Sequence, residues 1–299
     1  MSSPDGDYEL MDSGDGRKLE RFGRVSIVRP CAQALWAQSL PQAVWAGAAA
    51  SFDRDEGNHW HGREALPPSW IVSAGGIRFK LAATDFGHLG VFPEQRAQWE
   101  WIRETVRAAS ARRAPESLSV LNLFAYSGGA TLAAAQGGAE VCHLDASRGM
   151  VQWARENAAL NGLGLAPVRW IVDDAHKFLA REIRRRRRYD AVILDPPTFG
   201  RGASGETYKF ERDVRETLSY VREVLSDDPV FVLFSSHSPG VTPAVCRRLV
   251  ASFFPGAEIS AGEMMLDARS PAAGVPSGVY ARAVFPGAPG AAGAGGADG

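Results

Sequence analysis

Hydrophobic and polar positions follow two different periods along the central part of this chain. Between residues 118 and 254, apolar runs of five or six residues alternate with longer segments whose apolar residues recur every three or four positions. Short apolar runs are typical of buried strands, and the longer pattern is typical of amphipathic helices. The pattern predicts strands at 118–123, 140–144, 168–172, 190–194 and 230–235, with helices at about 128–136, 147–161, 175–187, 208–225 and 242–254. Repeated βα units of this kind imply an α/β fold with a parallel, doubly wound sheet.

The C-terminal pattern departs from this alternation. Two strand-like segments, 257–266 and 279–285, are joined by residues 267–277, which leave no room for a crossover helix. Adjacent strands without a crossover pair in antiparallel fashion, so we expect an antiparallel hairpin at the edge of the sheet. This ending argues against a plain dinucleotide dehydrogenase.

The N-terminal third has shorter, β-like segments separated by turn residues. Strands are expected at 25–28, 43–45, 70–73 and 77–81, and a helix that Pro93 opens is expected to run to about residue 109. The sequence therefore predicts four parts. They are a flexible leader at 1–16, a small β-rich domain at 17–91, the α/β domain at 92–286 and a disordered Gly/Ala tail at 287–299.

Composition narrows the class of protein without deciding its partner. The chain has 299 residues with 33 basic and 34 acidic side chains, so no global field requires or excludes a nucleic acid. Its three cysteines are widely spaced, which predicts neither disulfides nor a CxxC metal pair and fits a reducing cytoplasm. No window approaches 18 apolar residues, so we expect neither a signal peptide nor a membrane span.

The segment DPPTF at 195–199 follows the predicted fourth strand directly. Proline has no N–H for a sheet ladder and fixes φ, so the strand must end at Asp195 in a stiff loop. In open α/β sheets the carboxyl edge is where ligands bind. Asp195 and the carbonyl of Pro196 can accept hydrogen bonds from a planar amine while Phe199 stacks on its face, whereas the simpler interpretation is a strand stop with a surface acid.

The loops after the first three strands carry a joint pattern. The first turn, around Ser127 and Gly128, has small residues that allow close backbone approach but lacks the GxGxxG of a dinucleotide site. Asp145 ends the second strand, where an acid commonly accepts ribose hydroxyls, although it could instead cap the next helix. Asp173 and Asp174 end the third strand, where one carboxylate could accept an adenine amine while the other caps the next helix. We favour Asp174 for the adenine, with Asp173 as the second candidate. Together the three loops predict a cofactor that contains adenosine.

With these loops placed, the chain resembles the large-subunit ribosomal-RNA methyltransferases, a class I S-adenosylmethionine-dependent family that includes cytosine-C5 and guanine-N2 enzymes. The resemblance covers about residues 78–285. The matching segments are NLFAYSGG at 122–129, VCHLDAS at 141–147, ENAALNG at 156–162, DAHKFL at 174–179, DPPTF at 195–199 and, more weakly, GVFPEQR at 90–96.

The resemblance implies a Rossmann-like class I methyltransferase sheet and S-adenosylmethionine as the cofactor. It implies that the cofactor contacts the following residues: Phe124, Ala125, Tyr126, Ser127, Gly128, Asp145, Ala146, Asp173 and Asp174. It also implies that the loop with Asp195, Pro196, Pro197 and Phe199 faces the methyl acceptor.

One departure from the family changes the expected chemistry. Methylation at cytosine C5 needs a cysteine that adds to the ring, and the family member that does this carries it after the fifth strand. Here that place reads FSSHSPG at 234–240, without cysteine. We therefore expect an exocyclic or ring nitrogen of an RNA base as the acceptor, and not cytosine C5.

Two rival functions stay open from the sequence alone. The same class of enzyme could act on a small molecule or a protein, and a protein of this fold could bind S-adenosylmethionine without catalysis.

Two further sequence features each have two interpretations. His237 is a proton acceptor or a structural loop residue, and the five arginines at 184–188 bind RNA phosphates or are a solvated helix end.

Overall fold

The structure is a computed structural model, and it describes residues 7–54, 57–202, 205–268 and 274–288. The chain forms two compact units. The first comprises Met1–Ala97 with Met264–Ser277, and the second comprises Gln98–Glu263 with Gly278–Gly299. The predicted tail at 287–299 lies almost wholly outside the described residues, as do five of the eleven residues of the loop expected at 267–277.

The first unit is rich in short strands. A five-stranded sheet has the order β1-β2-β3-β4-β5, and β6 and β7 form a separate antiparallel pair. The elements are β1 Tyr8–Gly14, β2 Arg17–Phe22, β3 Val25–Pro30, helix α1 Gln42–Ala46, β4 Ala50–Asp53, β5 His59–His61, β6 Trp70–Ala74 and β7 Ile77–Leu81, with short 3₁₀ helices at Arg63–Ala65 and Pro93–Gln95. The small β-rich N-terminal region expected from the sequence is confirmed.

Two local predictions in this unit are wrong. Residues 8–14 of the expected leader form β1, because Tyr8 and Leu10 are buried and the strand pairs antiparallel with β2. Residues 43–45, expected as a strand, lie in α1 instead. There the indole N–H of Trp45 donates to Asp12 Oδ2 at 3.0 Å, a tertiary contact that overrides the β propensity of valine and tryptophan.

The second unit is built around a seven-stranded sheet. The helices and strands from residue 96 onward are α2 Arg96–Arg113, β8 Ser119–Leu123, α3 Gly129–Gln136, β9 Glu140–Asp145, α4 Arg148–Leu160, β10 Val168–Val172, α5 Ala175–Arg184, β11 Ala191–Leu194, β12 Phe199–Arg201, β13 Thr207–Lys209, α6 Phe210–Val224, β14 Phe231–Ser236, α7 Pro243–Phe253, β15 Glu258–Leu266 and β16 Val275–Val284. Of these, residues 96–97, 264–266 and 275–277 are counted with the first unit. Each strand and helix predicted for 118–254 is present, with its ends shifted by a few residues. The short β12–β13 hairpin was not predicted.

The strand order is β10-β9-β8-β11-β14-β16-β15. The five strands from β10 to β14 run parallel, and β16 runs antiparallel to β14. The last two strands are neighbours at the edge of the sheet, where the hairpin was expected. The chain moves outward from β8 to β10 and then returns to β11 on the other side of β8. The sheet therefore has its switch point between β8 and β11, and open α/β sheets bind ligands at the carboxyl end of such a point.

Candidate functional site

The turn that follows β8 has an unusual backbone. Phe124 and Tyr126 have φ values of 55° and 48°, and Gly128 has 94°. A left-handed conformation costs a residue with a side chain about 1–2 kcal/mol, and such strain concentrates at ligand sites. The turn is held in place at its start, where the N–H of Ala125 donates to the carbonyl of Leu144 at 3.0 Å. The segment of small residues predicted as a binding turn is thus a rigid, strained loop at the switch point.

The two glycines of this turn allow neighbouring helices to pack closely against it. A Cβ on Gly128 would lie 3.0 Å from the Cβ of Ala154 in α4, and one on Gly129 would lie 2.7 Å from the ring of Trp99 in α2. The side-chain amide of Asn157 donates to the carbonyl of Ser127 at 3.0 Å, which ties α4 to the same turn. The turn is therefore supported from two helices.

Asp145 stands beside this turn at the end of β9. Its Oδ2 accepts a hydrogen bond from the N–H of Tyr126 at 2.9 Å, and its Oδ1 accepts one from the N–H of Ser147 at 2.8 Å. Burial raises the pKa of this carboxyl, while the two N–H groups oppose that rise. Ala146 is half-buried next to it. The carboxylate is oriented by the turns at both sides, and each oxygen keeps a second lone pair for a ligand.

A buried polar chain lies between β8, α3 and β9. The amide of Asn122 donates to Thr131 Oγ1 at 2.9 Å, and that hydroxyl lies 2.9 Å from Nδ1 of His143. Within the described residues, Nε2 of the same ring is buried and forms no hydrogen bond. Burial, reinforced by Arg155, lowers the pKa of His143 to about 3, which keeps the ring neutral.

The two acids after β10 have different contacts. Asp174 is the N-cap of α5, and its Oδ1 accepts from the N–H of Lys177 at 2.9 Å. Asp173 forms an ion pair with Arg181, and its Oδ1 accepts from the N–H of Asp174 at 2.9 Å. Asp174 is therefore the capping residue, which occupies one of its oxygens.

The loop after β11 lies on the other side of the switch point. Asp195 Oδ1 lies 3.6 Å from His237 Nδ1, and both side chains are about one-third exposed. The hydroxyls of Thr198 and Ser238 lie 2.9 Å apart, so the loops after β11 and β14 are connected twice. Pro196 is buried, Pro197 is half-buried and Phe199 is 51% exposed. Asp195 thus has a histidine partner that the sequence could offer only as a candidate.

The unpredicted β12–β13 hairpin adds residues that sequence reasoning missed. The ring of Tyr208 lies 5.2 Å from that of Phe124 and 5.8 Å from that of His176. Thr217 Oγ1 lies 3.2 Å from the hydroxyl of Tyr208 and 2.8 Å from Nε2 of His176. Burial raises the pKa of Tyr208, so its hydroxyl stays protonated. The sequence signal for this contact is the aromatic residue at 208, which we predicted to begin the helix at 208–225.

None of the three cysteines is placed for catalysis. Cys31, Cys142 and Cys246 are all buried. Burial raises the pKa of Cys142 to about 11 and that of Cys246 to about 12, and it also raises the pKa of Cys31. Because the thiolate is the nucleophilic form, none of these side chains can add to a pyrimidine ring at neutral pH.

The comparison with known proteins decides the family. A family model described as S-adenosylmethionine-dependent methyltransferase matches residues 24–250. The chain belongs to this family. It is also similar to the crystal structure of an S-adenosylmethionine-dependent methyltransferase from Agrobacterium tumefaciens, with 40% identity, a TM-score of 0.86 and coverage of 95% of this chain and 92% of that one. The expected class I methyltransferase fold and the expected cofactor are thereby confirmed.

Curated relatives confirm the resemblance to ribosomal-RNA enzymes. The proteins named ribosomal RNA large subunit methyltransferase K/L from Shewanella frigidimarina and Methylococcus capsulatus are 32% and 38% identical to this chain, over 52% and 43% of its length. The chain matches 21% and 16% of the length of these relatives, about a fifth. In the part of the chain that the structure describes, no helix is both long and apolar enough to cross a membrane.

Proposed function

We propose that this chain methylates a nitrogen of an RNA base, with an exocyclic amine as the favoured acceptor. The observation that carries the proposal is the position of Asp195 at the carboxyl end of β11, directly across the switch point from the turn after β8. A methyl donor held by that turn and an acceptor held by Asp195 meet at one edge of the sheet. Catalysis of methyl transfer is largely a matter of such positioning.

The residues around the turn fit S-adenosylmethionine. The amino-acid part would bind along the turn 124–128, whose left-handed positions bend the backbone at the switch point, and Asp145 is oriented to accept hydrogen bonds from a ribose diol. Asp174 keeps one carboxylate oxygen for the adenine amine, with Ala146 and Asp173 at the margin of the same site. When bound, the cofactor supplies an electrophilic methyl group on its sulfonium.

The loop after β11 provides the acceptor side of this site. The Asp195 carboxylate and the Pro196 carbonyl accept hydrogen bonds from the two N–H groups of an amine, which directs the nitrogen lone pair toward the donor. Pro197 stiffens the loop, and the half-exposed ring of Phe199, which has the guanidinium of Arg201 5.9 Å from its centroid, can stack on a base. His237, 3.6 Å from Asp195, is the group that can take up the proton the amine loses.

The state of the three cysteine thiols favours a nitrogen atom over cytosine C5 as the methyl acceptor. All three cysteines are buried with raised pKa values, so the covalent addition that activates cytosine C5 has no nucleophile. An amine needs no such activation, because its own lone pair attacks. RNA as the substrate is supported by the names of the relatives from Shewanella and Methylococcus.

Transfer of tritiated methyl groups to total RNA tests the proposal. The purified chain is expected to label RNA, and mass spectrometry of the digested nucleosides is expected to find an N-methylated base. Asp195→Asn removes the charged acceptor while preserving volume, so we expect kcat to fall roughly 10²- to 10⁴-fold with little change in cofactor affinity.

Asp227→Asn, at an exposed site outside the proposed machinery, serves as the matched control and should retain full activity. Label recovered as 5-methylcytidine would overturn the assignment to nitrogen. Label that enters protein or small molecules but not RNA would overturn the substrate, and full activity of Asp195→Asn would overturn the role of Asp195.

A further inference from the structure

Five consecutive arginines form an exposed tract at the end of α5. The arginine tract, residues 184–188, has every side chain exposed, in a chain whose formal net charge is only −1. It precedes β11 and therefore lies at the amino edge of the sheet, opposite Asp195. A local concentration of guanidinium groups on a nearly neutral protein creates a strong local field.

Ordinary structural roles account for only part of this tract. Arg185 pairs with the buried Glu182 at 3.4 Å, and Arg188 donates to the carbonyl of Glu223 at 2.5 Å. Within the described ranges, Arg184, Arg186 and Arg187 form no side-chain hydrogen bond or ion pair. Arginines in the last helical turn do complement the helix dipole, but Arg186 and Arg187 lie beyond the end of α5.

The backbone of Arg186 gives a second, independent observation. Its φ is 56°, its N–H donates to Ile183 O at 2.9 Å, and the N–H of Arg187 donates to Glu182 O at 2.9 Å. This is a Schellman C-cap, in which the left-handed position normally belongs to glycine. Here the position carries a long cationic side chain at a steric cost that glycine would avoid. Helix termination therefore does not explain the arginine.

We propose that the arginine tract is a docking surface for the phosphate backbone of RNA, and this inference rests on the proposed function. Guanidinium groups bind phosphate in a bidentate fashion, and contacts of this kind position a nucleic acid without reading its sequence. From residue 188 to Asp195 the extended chain spans about 20 Å. An RNA longer than a few nucleotides can therefore contact the tract while it presents a base at the opposite edge.

Fluorescence anisotropy with a labelled 24-nucleotide RNA hairpin, measured across a range of KCl concentrations, tests this surface. Arg184→Gln/Arg187→Gln is expected to weaken binding roughly 5- to 20-fold and to reduce the salt slope by about 1–2. The matched control is Arg247→Gln/Arg248→Gln, which removes the same charge from exposed positions of α7 and should change affinity less than about twofold.

A single substitution separates docking from stability. Arg186→Gly relieves the left-handed strain, so its Tm is expected to equal or exceed that of the parent while RNA binding weakens roughly threefold. Loss of affinity in a variant that is no less stable cannot be attributed to unfolding.

Three results would overturn the docking surface. The first is an equal loss of RNA affinity in the two double variants, and the second is no loss of affinity in either. The third is competition by polyglutamate that is as effective as competition by RNA of equal charge, which would indicate an acidic protein as the partner. If RNA is methylated but the tract variants change neither affinity nor KM, this inference fails and the proposed function stands. If the tract binds RNA but no RNA is methylated, the docking surface stands and the proposed function fails.

Discussion

At the scale of single residues, Asp145 connects the turn after β8 with the start of α4. Its two oxygens accept from the N–H groups of Tyr126 and Ser147. In Asp145→Asn one of these N–H groups faces an NH₂ donor, and the proposed ribose contact loses its charged acceptor. We expect the Kd for S-adenosylmethionine to rise roughly 10- to 100-fold, measured by calorimetry.

The control for this experiment is Asp227→Asn, whose Kd should match that of the parent. Near-ultraviolet circular dichroism and a thermal melt establish that the variant folds. A folded Asp145→Asn variant with unchanged cofactor affinity would remove Asp145 from the binding site.

Sequence reasoning at this scale located side chains but could not assign their partners. The sequence favoured Asp174 for the adenine amine, which left Asp173 as the expected helix cap. In the structure Asp174 is the cap and Asp173 pairs with Arg181. The approach of His237 to Asp195 joins residues 42 positions apart. One sequence alone does not reveal that the two residues are close, because their proximity results from the pairing of β11 with β14 in the sheet.

At the scale of elements, the packing of α2 against the first residue of α3 sets a size limit at Gly129. A Cβ there would lie 2.7 Å from the ring of Trp99, so Gly129→Ala is expected to lower the free energy of unfolding by about 1–3 kcal/mol. Urea unfolding measures the change. The added Trp99→Phe substitution, which shortens the aromatic side chain, should recover part of the loss.

Gly149 provides the matched comparison near the start of α4. Its nearest neighbour to an added Cβ is Ser147 Oγ at 3.8 Å, so Gly149→Ala is expected to stabilise the protein by about 0.5–1 kcal/mol. If both glycine variants were stabilised equally, close helix packing at Gly129 would not be the constraint.

The predictability of the elements followed their length and periodicity. Strands β8 to β11 are bounded by clear helical patterns, and the sequence located them to within a residue or so. Strands β12 and β13 have three residues each, too few to show alternation, and the hairpin was missed. The strand β1 was assigned to a leader because acidic and glycine residues obscured the buried positions of Tyr8 and Leu10.

At the scale of the whole molecule, two buried titratable groups make stability depend on pH. Burial lowers the pKa of His143 to about 3. Burial alone would raise the pKa of Glu20, but Arg29 and Lys18 outweigh it and lower the value to about 2. Both groups bind protons more readily in the unfolded chain, so each contributes stability above its unfolded pKa that is lost as the pH falls.

The two groups act in different pH windows. The His143 contribution begins to disappear below about pH 6.5, with a loss of about 2 kcal/mol by pH 5, whereas the Glu20 contribution is lost only below about pH 4.5. Urea unfolding at a series of pH values is expected to show this order. His143→Gln should flatten the dependence between pH 7 and 5, and Glu20→Gln should leave that range unchanged. A parent protein equally stable at pH 7 and 5 would contradict the neutral buried imidazole.

The overall architecture was the most predictable level, because the alternation of strands and helices leaves few parallel topologies. The balanced charge of the whole chain, in contrast, gave no indication of a partner. The informative distribution is local, with five arginines at one edge of the sheet and Asp145, Asp174 and Asp195 at the other.

The burial of all three native thiols has a practical consequence for following this protein in solution. Maleimide dyes react with thiolates, and the raised pKa values of Cys142 and Cys246, together with burial of Cys31, protect all three in the native state. A probe attached through Phe199→Cys would therefore label the loop after β11 selectively. Its emission could report the arrival of an acceptor without prior removal of any native cysteine.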